Sequence, residues 1–252
     1  ITNPSAKYNP EGMSGMINIV LNKNSKIGFN GSINNGVTFA ITPKLNSSFD
    51  INYKKGKINW FANYGLNIGK QTFFGHINTI EPGLEDFQKY HFTNNDYSHL
   101  AKIGFDFTIN EKNIVSFYTN QNFSSGRGNS KSEVDFTDAN KTDIVQLFNN
   151  KINNHWQTYN LDYKTNFKKT EHTLELEINQ SFSNDKENAF YNDPRTNNIN
   201  NKGNNTLVNL DYINPLTESS KLELGLESRN ESTKNLFLVD TEYNSNFKFD
   251  HL

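Results

Sequence analysis

The sequence predicts an all-β chain that forms part of an antiparallel transmembrane β-barrel, and two observations support this prediction. First, segments of the chain alternate apolar and polar residues, as 173–179 shows with Leu174, Leu176 and Ile178 between polar neighbours. A period of two gives a strand one apolar face and one polar face. Second, the polar connections between these segments are alternately short and long, which is typical of barrels that span an outer membrane.

Composition fits a barrel with a polar interior. Hydrophobic residues make up 34% of the 252 residues, and the mean hydropathy is −0.77. Both values are low for a soluble domain with an apolar core. The aromatic content of 13% argues against a disordered chain. Apolar residues confined to one face of each strand account for both observations.

Charge, cysteine content and hydropathy exclude several classes of protein. The net charge of −2 gives no electrostatic basis for binding nucleic acid. The chain has no cysteine, so it has neither disulfides nor thiolate metal sites. No run of about 18 apolar residues is present to form a transmembrane helix. No signal peptide precedes Ile1, so we expect that it was cleaved or that the chain begins within a longer protein.

The first part of the chain differs from the rest and is expected to form a separate segment, 1–26. Gly12 and Gly15 flank a predicted bend, and 16–21 is a short strand that is more continuously apolar than any later one. The alternating pattern starts directly after this segment. We therefore expect a boundary after residue 26, with barrel strands throughout 27–252.

In the barrel region, one face of each expected strand is mainly apolar and the other is mainly polar. In strand three, Phe61 interrupts the polar face with an aromatic ring. The expected strands are 27–41, 48–53, 58–68, 101–109, 114–123, 159–167, 173–179, 208–212 and 221–227, followed by the start of a tenth. The expected long polar loops are approximately 69–98, 124–154 and 183–204.

The connection lengths orient the barrel. Short turns are expected at 54–57, 110–113, 168–170 and 214–220, and short turns lie on the periplasmic rim of such barrels. Aromatic residues cluster beside these turns, which predicts an interfacial girdle; they are Tyr53, Trp60, Phe107, Tyr163, Phe167 and Tyr212. The opposite face repeatedly carries charge, which argues against a soluble core; these residues include Asp50, Asp106, Lys164, Glu175 and Glu177.

Residues 1–23 resemble the last segment of the plug domain of TonB-dependent outer-membrane receptors, in a form like that of Bacteroidetes receptors. The matching residues are Asn3, Pro4, Ala6, Tyr8, Gly12, Gly15 and Asn18. The resemblance implies that 1–26 is the C-terminal end of a plug domain and its linker. It also implies a 22-stranded barrel, of which this chain would supply the first nine or ten strands. Glu175 and Glu177 would then hydrate the lumen or pair with the plug.

The same resemblance implies a function in the outer membrane of a Gram-negative bacterium. That function is the energised uptake of a scarce nutrient, such as a siderophore, vitamin, sugar or peptide. The implied partners are outer-membrane lipid, the TonB complex and the extracellular nutrient, and a surface lipoprotein is a further candidate. Two alternatives stay open: a small self-contained porin or adhesin barrel, and a soluble carbohydrate-binding β-sandwich.

No arrangement of residues indicates catalysis, so we expect that the chain is not an enzyme and has no cofactor or resident metal. The six histidines lack the spacing of a metal-binding motif. His91 and His99 share a predicted outer loop, where we expect solvated side chains. Gly126-Arg127-Gly128 lacks the lysine and the following helix of a phosphate-binding loop. We interpret it as a flexible loop segment.

Aromatic residues in the predicted long loops have two interpretations. They could contact a ligand, since loops on a rigid scaffold often carry function, or they could continue the neighbouring strands above the membrane. The sequence does not separate these interpretations, and no ligand-binding residue is assigned. The residues are Phe73, Phe74, Phe87, Tyr90, Phe92, Tyr97, Phe190 and Tyr191.

Overall fold

Ten antiparallel strands form one meandering sheet in the computed structural model, and each strand pairs with its neighbours in the sequence. The structure describes residues 28–81, 84–138, 140–192, 196–217, 219–238 and 242–251. The strands are β1 (Gly28–Thr38), β2 (Lys44–Lys55), β3 (Ile58–Glu81), β4 (Leu84–Thr108), β5 (Asn113–Phe136), β6 (Ile144–Asn166), β7 (Thr173–Tyr191), β8 (Thr196–Pro215), β9 (Lys221–Leu238) and β10 (Glu242–His251). None of the described residues belongs to a helix long and apolar enough to cross a membrane.

The register of the sheet confirms the alternation of the sequence. Phe49 lies opposite Tyr64, and Ile51 lies opposite Ala62, so apolar residues of adjacent strands share one face. The register runs without a bulge through each described hairpin. Because a slip of one residue would exchange the two faces, this continuity keeps one face apolar beside the short turns and the other face polar.

Almost nothing is buried within the sheet. Apart from three glycines, Ala189 and Asn160 are the only buried residues in the described ranges. Apolar rings instead contact each other across strands on the outer surface, as Trp60 and Phe105 do at 5.2 Å between ring centroids. This surface has no second sheet packed on it among the described strands, so the fold is not a β-sandwich. Lipid is the apolar medium that such a surface requires.

The prediction of long loops at 69–98, 124–154 and 183–204 is wrong, because the connections in the structure are much shorter. Most of these residues lie in strands, and β3 and β4 pair continuously from Ile58 opposite Phe107 to Glu81 opposite Leu84. The alternation disappears there because both faces of a strand above the membrane can be wet. The backbone amides and carbonyls still require partners, and extending the hairpin supplies them. The chain therefore keeps its pairing where the hydrophobic pattern ends.

One end of the sheet is extended and the other is not. The apolar band lies beside the turns at 56–57, 109–112, 167–172 and 216–220, as expected for the periplasmic rim. At the opposite end, β3 to β9 continue well past the band, whereas β1 and β2 have only 11 and 12 residues. We call the extended end the outer end. The wall is therefore low at β1 and β2 and tall from β3 to β9.

The sheet has two open edges among the described residues, since β1 pairs only with β2 and β10 pairs only with β9. A strand edge within a bilayer leaves backbone groups without partners, which costs several kcal/mol for each group. In a membrane, each edge therefore requires a further strand, from this chain or from another.

Replacing Leu210 by lysine should destabilise the folded protein by about 2–4 kcal/mol, which is the cost of a cation near the middle of the apolar band. Leu210 lies on the apolar face, between Leu176 and Leu226 in register. The matched control is Asn209→Lys, one residue away on the polar face, with Glu177 and Glu227 as its neighbours. Urea-induced unfolding in lipid vesicles measures the loss of unfolding free energy in each variant. Equal losses in the two variants would mean that the two faces are wrongly assigned.

Candidate functional site

The polar face of the sheet carries an acidic cluster near the periplasmic end. In β6 and β7, Asp162 lies opposite Glu177, and Lys164 lies opposite Glu175. Asp211 of β8 adds a fourth carboxylate opposite Glu175. The Lys164 Nζ atom is 3.0 Å from Glu175 Oε2. One lysine thus faces four carboxylates, and the surface is suited to a partner that presents cations or hydrogen-bond donors.

Amide side chains bind several of the acidic groups on this face. Asn160 is 3% exposed, and its Nδ2 donates a hydrogen bond to Glu177 Oε1 at 2.9 Å. Asn205 donates to Glu231 Oε1 at 2.8 Å. Such bonds to an ionised acceptor are stronger than bonds between neutral groups. They hold the carboxylates against the wall, so the polar face is an ordered surface.

Phe61, which interrupts the polar face of β3, lies beside a glycine. Gly104 is opposite Phe61 in register, and a Cβ atom on Gly104 would come within 2.5 Å of Phe61 Cζ. The Lys102 Nζ atom lies 5.6 Å from the centroid of the same ring and 4.2 Å from that of Tyr118, within range of a cation–π interaction. The aromatic ring on the polar face therefore helps to hold a lysine.

Higher on the polar face, four aromatic side chains lie in one row across β3 to β7. Phe73 is opposite Phe92, with ring centroids 6.1 Å apart. Phe148 is opposite Tyr191, with centroids 5.2 Å apart, and Ser130 separates the two pairs. We call Phe73, Phe92, Phe148 and Tyr191 the lumenal aromatic row. Aromatic surface at this height can contact an apolar or sugar-like ligand that enters from outside.

A cavity of about 430 Å³ lies next to this row, on the side nearer the periplasm. Its lining includes Gln71 of β3 and Asp96 of β4, together with Ser125 and Asn154. Asn94 Nδ2 donates hydrogen bonds to both oxygens of Asp96, at 2.6 and 2.7 Å. The cavity combines these polar groups with apolar residues such as Ile152, and an apolar lining with a few polar groups is usual in sites for small organic ligands.

The interpretation of Gly126-Arg127-Gly128 as a flexible loop is wrong, because all three residues lie within β5. A Cβ atom on Gly128 would approach Asn150 Oδ1 to 2.2 Å and Phe92 Cε2 to 3.2 Å. The Gly128 N–H donates a hydrogen bond to that same Asn150 oxygen at 2.9 Å. These glycines therefore allow close approach of neighbouring side chains.

The aromatic residues of the predicted loops continue the strands and divide between the two faces. Four lie on the polar face, namely Phe73, Tyr90, Phe92 and Tyr191, and four on the outer face, namely Phe74, Phe87, Tyr97 and Phe190. Sequence reasoning missed Phe148 and Trp156, whose indole Nε1 donates to Asp185 Oδ1 at 2.7 Å. Both precede residue 159, where the sixth strand was expected to begin. Extending its period of two backwards would have placed both on the polar face.

The histidines do not cluster with other metal-ligating side chains in groups of three in the part of the chain that the structure describes. His91 and His99 lie in β4, not in a loop, and are about 26 Å apart along the strand. His99 Nδ1 is 2.6 Å from Tyr64 Oη. The His155 ring stacks on Phe123 with centroids 4.0 Å apart. These histidines belong to the aromatic surface on the outer face.

The aromatic side chains form two belts, and only the lower one was expected. Beside the β6–β7 turn, Phe167 contacts His172 at 4.2 Å between centroids, and His172 Nε2 is 3.0 Å from Tyr212 Oη. A second belt marks the outer boundary of the apolar band, where rings can meet lipid headgroups. This upper aromatic belt consists of Tyr64, Tyr97, His99, Phe123, His155, Tyr159 and Phe182.

The hairpin between β5 and β6 contains two carboxylates with lowered pKa. A hydrogen bond from Lys131, at 2.5 Å, and the charge of that lysine lower the pKa of Glu133. Hydrogen bonds from the backbone and side chain of Asn140 lower the pKa of Asp138. Both groups lie above the membrane, where they keep the hairpin anionic.

The sequence-predicted site residues at the N-terminus lie outside the residues that the structure describes. They are Asn3, Pro4, Ala6, Tyr8, Gly12, Gly15 and Asn18. The proposed division between a plug tail at 1–26 and a barrel at 27–252 consequently stays a prediction.

Comparison with known proteins supports the fold and the location. Residues 158–252 match the model of the Outer membrane protein beta-barrel family. The match and the ten-stranded sheet confirm an all-β outer-membrane barrel fold, and the expected location in the cell outer membrane is confirmed as well. No curated protein matches the chain.

Several solved outer-membrane proteins are similar to the chain at low identity. The ferric yersiniabactin uptake receptor FyuA from Yersinia pestis is 9% identical, with a TM-score of 0.41 over 90% of this chain and 43% of the receptor. The ferric citrate transporter FecA is 8% identical, with a TM-score of 0.41 over 90% of this chain and 42% of FecA. The outer membrane protease OmpT from Escherichia coli is 12% identical, with a TM-score of 0.35 over 88% of this chain and 91% of OmpT. The chain spans less than half the length of the first two.

Replacing Lys164 by glutamine should destabilise the wall by about 1 kcal/mol, because the acidic cluster loses its cation. The side chains of Lys164 and Glu175 are 40% and 24% exposed, so solvent screens the pair in part. The double variant Lys164→Gln, Glu175→Gln should recover a large part of the loss. Lys168→Gln, in the exposed β6–β7 turn, is the control. The free energy of unfolding in detergent is measured for the original protein and the three variants. An unchanged free energy for Lys164→Gln would show that the stability of the cluster does not depend on this lysine.

Gly128→Ala should destabilise the wall by about 1–3 kcal/mol, because the new methyl group displaces the Asn150 side chain and presses on Phe92. Asn150→Ala removes the side chain that the methyl group meets first. A double-mutant cycle should therefore show the double variant to be more stable than the sum of the single losses. If the losses of the two single variants simply add in the double variant, the strain of Gly128→Ala does not arise from contact with Asn150.

Proposed function

We propose that the chain forms the plug–barrel junction and part of the wall of a TonB-dependent outer-membrane receptor that takes up a scarce nutrient. The observation that carries the proposal is the resemblance of residues 1–23 to a plug tail, placed directly before the first strand of an outer-membrane wall, which begins at Gly28. The nutrient class is a siderophore, vitamin, sugar or peptide. The energy would come from the TonB complex, as the resemblance implies.

The polar face supports this proposal because it is suited to contact with a folded plug. Its carboxylates are held by amides and by Lys164, so they form a fixed pattern of acceptors. A plug that presents donors can match a fixed pattern at low entropic cost. The open edges at β1 and β10 agree with a larger barrel, since both edges require further strands in a bilayer.

The outer half of the same face supports a role in binding the nutrient. The lumenal aromatic row lies above the cavity that Gln71 and Asp96 line. A nutrient that descends from outside would meet the rings first and the amides and carboxylate next. We propose that these groups bind it and pass it on unchanged, so the chain acts as a receptor and not as an enzyme.

Growth on single limiting nutrients tests the proposed uptake. A strain that lacks the gene and a strain that lacks TonB function should share a growth defect on at least one nutrient among ferric siderophores, vitamins, oligosaccharides and peptides. An antibody to residues 98–182 should detect an outer-membrane band well above the mass of this chain. A heat-modifiable band at the mass of this chain, with uptake that is independent of TonB, would instead identify a small self-contained barrel.

Substitutions in the lumenal aromatic row test the proposed binding surface. Phe92→Ala with Phe148→Ala should raise the half-saturating concentration of the nutrient roughly tenfold, because two aromatic contacts are lost. The matched control is Phe74→Ala with Phe190→Ala, which removes two rings at similar heights from the outer face. Nutrient uptake into whole cells that contain equal amounts of receptor measures both effects. If the two double variants are affected equally, the lumenal aromatic row is not part of the binding surface.

A further inference from the structure

Six cationic side chains form a band on the outer face, at the upper edge of the upper aromatic belt and just above it. Each lies on a different strand, and all six are exposed. Their positions in register place them on the same face as the apolar residues below. We call this set the basic stripe; it consists of Lys70 of β3, Arg127 of β5, Lys151 of β6, Lys186 of β7, Lys202 of β8 and Lys234 of β9.

Among the described residues of β3 to β9, no acidic residue lies on the same face at the height of the stripe, whereas on β10 Glu242 is at this level in register, opposite Leu238. Arg127 lies opposite Lys151, and Lys202 lies opposite Lys234, so cations face cations across the sheet. The remaining outer-face positions at this height are mainly asparagine, serine and threonine. Like charges directly opposite each other destabilise a sheet. The placement of such pairs on β5–β6 and again on β8–β9 therefore indicates that an anion offsets the repulsion.

Cations farther out on the same face are different, because they have carboxylate partners. Lys131 is 2.5 Å from Glu133, and Lys89 is 3.9 Å from Asp135. These pairs lie near the tip of the β5–β6 hairpin, above the stripe. The stripe, next to the boundary of the apolar band, therefore differs from the paired cations near the tip of the hairpin.

A cavity of about 280 Å³ opens on the outer face where the stripe meets the belt. Phe123 and Tyr97 supply aromatic walls, while His99, His155, Asn184 and Lys186 supply nitrogen donors. The aromatic walls belong to the layer that lipid headgroups occupy. A molecule that fills this cavity therefore combines an apolar part below with an anionic part above.

We propose that the basic stripe and this cavity bind the phosphate groups of the anionic glycolipid of the outer leaflet. The occupant must lie in the plane of the bilayer, because the face directly below the stripe is apolar and meets lipid. It must carry negative charge, because the stripe presents cations and amides with no carboxylate of its own. A phosphorylated glycolipid satisfies both conditions. This proposal depends on the outer-membrane location and not on uptake, so either can fail without the other.

Binding of diphosphorylated lipid A to the purified, detergent-extracted protein tests the proposal. We expect retained glycolipid in native mass spectrometry. Affinity for added diphosphorylated lipid A should exceed that for the dephosphorylated lipid by roughly tenfold or more, since each cation near a charged lipid contributes about fivefold. Inorganic phosphate alone should not displace the lipid at millimolar concentration. Displacement by phosphate, or equal binding of both lipids, would overturn the proposal.

A charge-matched pair of variants locates the site. Lys151→Gln with Lys186→Gln and Lys202→Gln should weaken binding of the diphosphorylated lipid by roughly tenfold or more. The control removes three exposed lysines above the stripe: Lys89→Gln with Lys131→Gln and Lys141→Gln should change it less than about twofold. Heat modifiability on a gel verifies folding, and Lys186→Gln alone replaces the triple variant if folding fails. Binding that is unchanged in the stripe variant, or equally weakened in the control, would overturn the assignment.

Discussion

The whole wall depends on one uninterrupted ladder of backbone hydrogen bonds between antiparallel neighbours. Side-chain burial within the sheet cannot hold the strands together, because Ala189 and Asn160 are the only buried residues besides glycine in the described ranges. In a bilayer, each unpaired amide or carbonyl costs several kcal/mol, so the ladder must continue wherever the chain meets lipid. The continuous register of each described hairpin meets this requirement and fixes which side chains face lipid and which face the lumen.

The division into two faces then determines where irregular residues fit. Gly104 gives space to the ring of Phe61, and Gly128 gives space to Asn150 and Phe92. None of these glycines sits in a turn; each lies in a strand whose neighbour carries a large side chain toward it. Because the strands pair without bulges, a large side chain is accommodated by a glycine on the neighbouring strand, which has no Cβ atom in its way.

The sequence predicts the lower half of the wall well and the upper half poorly, for a physical reason. Strand three was expected at 58–68. It begins at Ile58 as expected, but β3 continues to Glu81. Within the membrane, lipid on one side and water on the other impose a period of two. Above it both sides are wet, so the sequence loses the pattern while the backbone keeps its pairing. Phe148 and Trp156 were missed for this reason, and the pairing that forms the lumenal aromatic row depends on strand register, which composition does not encode.

The height of the apolar band varies around the wall, and this variation explains the position of the basic stripe. On β3, apolar and aromatic residues face lipid from Ile58 to Ile68, about 25 Å along the membrane normal at the usual strand tilt. On β9, they extend only from Leu222 to Leu226, about 10 Å.

The positions above the short band of the later strands carry neutral polar groups that bind each other. Thr206 Oγ1 donates to Gln180 Oε1 at 2.6 Å, and Gln180 Nε2 donates to Asn204 Oδ1 at 2.5 Å. Paired amides and hydroxyls are less costly near lipid than free ones, so they form a layer between the apolar band and the cations. The bilayer adapts to a short band by thinning, which lowers the headgroups toward β7 to β9. Three cations of the stripe lie on these strands, namely Lys186, Lys202 and Lys234. The strands with the shortest apolar band are therefore also the strands where the cations meet the headgroup layer.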